Sequence, residues 1–180
     1  MMRSLLWVLL SLLALPASAQ LYSNPVTLSL ATTGSSTSTV LRSSQLAGRY
    51  TCDNGKLELM MKTITLAAGA TADQQTLVHE VLMPDANPLL LIEAHLSSYV
   101  SCQQGTETQT VFLPVSLHFN GQVQRCQAHL TLTTTAQELR MNLLFEVSLA
   151  KTGLPVPAAY GDRVGDTLVF SVEDAALSRR

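Results

Sequence analysis

The chain has 180 residues, 47% of them apolar and 13% charged, with a formal net charge of -2 and a calculated pI near 6.0. This balance excludes a nucleic-acid binder, which needs a basic stripe to neutralise phosphates, and it is too apolar for a disordered chain. The length suits one domain with a sizeable core.

Residues 1–19 read as a cleaved signal peptide, leaving residues 20–180 as a single β-sandwich domain. Arg3 supplies the positive start, Leu5 to Leu15 form an apolar run and Pro16 breaks it. Ala17-Ser18-Ala19 then has the small-x-small pattern that precedes cleavage, here before Gln20. The run is too short for a bilayer span, and no further apolar stretch of that length follows. The expected destination is the periplasm or cell surface of a Gram-negative bacterium.

From Val26 onward the period is two. Val26, Leu28 and Leu30 alternate with Thr27 and Ser29, as in a half-buried strand. Residues 31–39 are a small polar tract and read as a loop. Asn54-Gly55 reads as a type I′ turn joining Gly48–Cys52 to Leu57–Leu66. Two patterns compete over residues 71–83. Thr71 and Gln74 have capping-box spacing, and Leu77, Val78, Val81 and Leu82 share a helical face before Pro84. The surrounding β pattern, Thr76 and the two valines favour a strand instead. Leu89-Leu90-Leu91-Ile92 fits a strand covered on both faces, or an edge awaiting a partner.

Asn120-Gly121 yields a register. A two-residue turn pairs Phe119 with Gln122, so Val115 faces Cys126, Leu113 faces Ala128 and Val111 faces Leu130. The apolar faces coincide, while Ser116, His118, Arg125, Gln127 and His129 fall on the other side. Leu139 to Leu149 alternate again, with Leu144 the odd apolar residue on the second face. Pro155 and Pro157 mark a connection, and Thr167–Val172 forms a last strand. Short strands separated by turn signals point to an all-β, immunoglobulin-like antiparallel β-sandwich.

Three cysteines in an exported chain imply one disulfide and one spare thiol. Cys52 and Cys102 each close a strand-like segment before a polar turn and are the expected pair, with Cys52–Cys126 the rival. Cys126 lies on the apolar face of its strand, as a buried thiol does.

The chemistry-bearing residues are scattered. His79-Glu80 lacks the second histidine of a zinc-protease helix, and His118 and His129 sit about 20 Å apart along their hairpin. No Gly-x-Ser-x-Gly elbow or glycine-rich phosphate loop occurs. The expectation is a protein without catalytic residues, metal or cofactor, which works by contact.

Tyr160-Gly161-Asp162 leads into the final strand Asp166-Thr167-Leu168-Val169-Phe170-Ser171-Val172. With the export signal, the alternating N-terminal segment and the low aromatic content, this ending resembles the fimbrial (pilus) subunits of the chaperone–usher route. The resemblance implies a fimbria-associated structural or accessory subunit acting by β-strand complementation, with other subunits and a periplasmic chaperone and usher as partners. Val26, Leu28 and Leu30 would then be the donor-strand residues. The alternative is a free-standing periplasmic or secreted binding module whose sandwich is complete.

Overall fold

The structure, a computed structural model, describes residues 20–35, 37–100, 106–135, 137–154 and 156–178. Among the described residues nine strands form one antiparallel sheet: β1 Gln20–Ser23, β2 Val26–Thr33, β3 Ser38–Thr51, β4 Lys56–Lys62, β5 Leu89–His95, β6 Glu107–Phe119, β7 Gln122–Thr134, β8 Glu138–Ser148 and β9 Thr167–Ser178. Both β1 and β2 lie between β3 and β9, so they are successive halves of one strand, interrupted at Asn24-Pro25. Proline has no N–H to give the ladder there. Because β3 also pairs with β4, the sheet closes on itself as an up-and-down barrel with eight strand positions.

The antiparallel all-β architecture is the one expected, its packed layers being opposite walls of one sheet. The connectivity differs from an immunoglobulin-like sandwich, which uses Greek-key crossings. From β4 to β9 each strand pairs with its neighbour in sequence. Short turns account for the β6–β7 and β7–β8 pairings, since a hairpin aligns adjacent strands before any distant pairing has to be found, whereas β4–β5, β5–β6 and β8–β9 are joined by longer connections.

The Asn120-Gly121 hairpin has the expected register, including Val115 opposite Cys126 and Leu113 opposite Ala128. Asn120 and Gly121 have φ of 52° and 66°, as a type I′ turn requires. The first Asn-Gly behaves differently. Thr51 pairs with Lys56, so residues 52–55 form a longer loop in which Gly55 has the positive φ, 65°. A tertiary contact sets this loop. The Gly55 carbonyl accepts the Leu96 N–H at 2.7 Å, and a Cβ on Gly55 would lie 2.4 Å from the Ser97 nitrogen.

Residues 72–82 are helical, which corrects the strand reading of 71–83. Helix α1 spans Ala72–Leu77 and widens into a π-helical turn over Val78–Leu82. The Thr71–Gln74 capping box forms in both directions, and Leu77, Val78, Val81 and Leu82 are buried. Helix and 3₁₀ turn Thr63–Ala67 belong to the β4–β5 connection, where no neighbouring strand offers a ladder to the backbone. Ser98 and Tyr99 lie in a turn following β5 rather than in a strand.

Several boundaries also move. Most of the polar tract is strand, because β2 and β3 pair as far as Thr33 and Ser38. Strand β9 continues beyond Val172 through a bulge, where Asp174 takes φ 48° and its N–H donates to Asn142 Oδ1 at 2.7 Å. The bulge moves the inward position from Val172 to Ala175 and Leu177.

Leu28 is fully buried, within a strand held on both sides. Its truncation should therefore act on the monomer itself. Leu28→Ala is expected to lower unfolding stability by about 2–5 kcal/mol in urea titration; a wild-type midpoint would show that β2 contributes nothing to the isolated fold.

Candidate functional site

Alternation along every strand separates two surfaces. The inner one is predominantly apolar along its length, with Leu28, Leu59, Ile92, Leu117, Leu130 and Phe170 buried on six different strands. Phe170 stacks on Phe145 of β8 with ring centroids 4.9 Å apart. Among the described residues no charged side chain is buried, and the buried polar groups are hydroxyls and the Asn87 amide.

Most of those polar groups have internal partners. Ser43 and Thr65 share a hydrogen bond of 2.7 Å, Ser23 Oγ accepts the Gly48 N–H at 2.6 Å, and Thr152 donates to the Leu149 carbonyl at 2.6 Å. The Asn87 amide donates to the Leu82 carbonyl. Among the described residues two buried hydroxyls have no partner, those of Tyr50 and Thr63. Burial raises the Tyr50 phenol above its ordinary pKa, so it stays protonated.

The two ends of the barrel are built differently. At the end reached by the β4–β5 and β8–β9 connections, Leu66, Val78, Leu82, Leu154, Tyr160 and Val164 are buried against the strands. Arg163 ties these connections together, pairing with Asp73 of α1 while its guanidinium lies 4.9 Å from the Tyr160 ring centroid. The other end carries loop 52–55 and the β5–β6 connection, where Leu96 and Val100 are buried.

The outer surface has its own apolar row. Ala47, Met60, Leu91, His118 and Val123 are directly opposite one another across β3 to β7. They line two adjoining open depressions of about 370 and 360 Å³, which share Met60 and Leu91. Beside that row runs an ionic one. Lys56 bridges Glu58 at 2.9 Å and Glu93 at 2.6 Å, Arg49 pairs with Glu58, and His118 Nε2 lies 2.7 Å from Glu93 Oε2. The Lys56 ammonium, joined at Glu58 by Arg49, holds both carboxyl groups below their ordinary range.

The histidines stay apart, as their spacing implied. His129 stacks on exposed Phe112 with centroids 4.8 Å apart, His118 joins Glu93, and His79 and His95 are exposed. Val26, Leu28 and Leu30 lie in the chain's own sheet between β3 and β9. Cys126 is a free, half-buried thiol whose pKa desolvation raises to about 11, and Cys52 is disulfide-bonded, which removes the Cys52–Cys126 rival. Cys102 lies outside the described residues, so its pairing with Cys52 remains a proposal. Tyr50 was missed by sequence reasoning. Its alternation with Gly48 and Cys52 places it inside, but nothing local to it indicates that its hydroxyl goes unpaired.

No family model matches the chain, and no curated protein matches it. Among solved structures, it is similar to a polyisoprenoid-binding domain from Saccharophagus degradans, described as implicated in plant cell wall breakdown. The match covers 91% of this chain and 100% of that one, with a TM-score of 0.74 and 10% sequence identity. At that identity the likeness is one of fold.

Two measurements test the electrostatic and thiol assignments. Because the folded-state pKa values of Glu58 and Glu93 are lowered, their contribution is full above the unfolded value near 4.5 and is lost as pH falls through the folded values. Urea stability should fall below about pH 4.5, and the Glu58→Gln, Glu93→Gln double variant should lose less, by on the order of 1 kcal/mol or less; parallel pH profiles would remove these pairs from the account. Non-reducing peptide mapping should find a Cys52–Cys102 link, with Cys126 alkylated rapidly only after unfolding. A Cys126-containing bridge would contradict that assignment.

Proposed function

We propose that the chain is an exported, free-standing binding module which holds a long apolar ligand of the isoprenoid type inside its barrel. The carrying observation is the inner surface, which is predominantly apolar along each strand and has no charged side chain among its described residues. Burial of a hydrocarbon chain against such a wall is favoured by about 25 cal/mol per Å² of apolar surface removed from water. Barrels with eight strands are wide enough to fill with side chains or to admit one slender ligand. The solved domain of similar fold, which binds a polyisoprenoid, supports this choice of ligand class.

The fimbrial reading needs a groove for another chain's strand and a free N-terminal donor. Here Leu28, Leu30 and Thr32 pair with Val172, Phe170 and Leu168 of the same chain, which favours the free-standing module. The reading assigns the protein no catalytic step, metal or cofactor, and places it in the periplasm or at the cell surface.

Native mass spectrometry of the purified protein with geranylgeraniol tests the proposal. One prenol per chain is expected, with a ligand-dependent rise in melting temperature from binding to the folded state alone. A folded protein that takes up no prenol, at concentrations where the ligand remains soluble, would refute it.

A further inference from the structure

We infer that Tyr50 is the polar anchor of the interior site, and that the ligand it receives ends in a neutral hydrogen-bonding head, an alcohol or a carbonyl. The inference rests on the proposed interior binding and adds the chemistry of the head and the residue that reads it.

Tyr50 is fully buried on the inner face, opposite Leu57 of β4 and Leu21 of β1. Both of its cross-strand partners are leucines. Gly48, the preceding inward position, is packed so closely that an added Cβ would lie 2.9 Å from Leu59 Cδ2 and 3.5 Å from Leu177 Cδ2. The nearby Ser23 hydroxyl already accepts the Gly48 N–H. The Tyr50 phenol is buried with no hydrogen-bond partner among the described residues. A phenylalanine would fill the same space without that cost.

Thr63 is the other unpaired hydroxyl, but its setting is different. It opens the 3₁₀ turn at the far end of β4, and its backbone N–H donates to the Pro88 carbonyl. Tyr50 carries its hydroxyl on a long rigid ring, away from the strand and into the interior. A phenol both donates and accepts, so it can bind a ligand hydroxyl or carbonyl.

The interior also limits the charge of that head. Arg49, Lys56 and Glu58, the charged groups nearest in sequence to Tyr50 and Leu57, are on the outer face and already paired with one another. A diphosphate drawn in to Tyr50 would lose its water and find no described cation within. An alcohol or ketone gives up far less hydration and recovers a hydrogen bond.

Matched ligands separate this anchor from general greasiness. Geranylgeraniol, the hydrocarbon lacking its hydroxyl, and geranylgeranyl diphosphate would be titrated against wild type, Tyr50→Phe and Thr63→Val. Wild type should prefer the alcohol to the hydrocarbon by about 10-fold and to the diphosphate by at least as much. Tyr50→Phe should abolish the preference for alcohol over hydrocarbon while hydrocarbon affinity and ligand-free stability stay at or above wild type. Thr63→Val should keep the preference. Equal wild-type binding of alcohol and hydrocarbon, tighter binding of the diphosphate, loss of preference in Thr63→Val, or a destabilised ligand-free Tyr50→Phe would each overturn the anchor while leaving interior binding intact. Failure of wild type to bind any of the three would instead overturn interior binding, and the anchor with it.

Discussion

The pairing of the first strand with both β3 and β9 is the constraint on which the rest of the structure depends. Leu28 lies opposite Ser43 on one side and Val172 on the other, and Leu30 opposite Leu41 and Phe170. Removal of that strand would leave two unpaired edges and open the apolar interior to water or to another chain. With it in place, the ladder continues around the barrel and the inner leucines are isolated from solvent. Closure of the sheet and protection of the interior are therefore one event.

Once the sheet closes, alternation assigns each side chain to one of two environments. Inside, apolar residues predominate and most of the few hydroxyls are paired within the protein. Outside, the Lys56, Glu58 and Glu93 cluster sits beside the Met60 and Leu91 row. The apolar run at residues 89–92 accounts for part of that row. Leu90 and Ile92 turn inward, while Leu89 is 50% exposed and Leu91 half-buried. The helical β4–β5 connection has a complementary task, covering one end of the barrel with Leu77, Val78, Val81 and Leu82.

Sequence patterns disclosed the features whose causes are local. The Asn120-Gly121 turn sets its own register, and the apolar faces of β6 and β7 agree only in that alignment. The capping box at Thr71 and Gln74 was equally visible, but context argued against it. What stayed hidden depends on distant partners. Strand β3 was read only from Gly48, because its inward positions run Leu41, Ser43 and then Leu46, breaking the alternation at the irregularity opposite β2. The same break at Asp174 cut β9 short. Barrel closure has no local signature, since residues 26–30 alternate in the same way whether they fill their own sheet or another chain's. The Tyr50 hydroxyl is an extreme case, because its meaning lies in a missing partner that only the packed interior reveals.

Native-state amide hydrogen exchange on the monomer tests closure by the first strand most directly. The account predicts that amides of Leu28–Thr32 and their partners at Leu168–Val172 exchange as slowly as those in the centre of the β6–β7 hairpin, through global unfolding. Rapid exchange across β2, with β6 and β7 still protected, would contradict it. The first strand would then leave the folded barrel readily, and its place would be open to a strand from another chain.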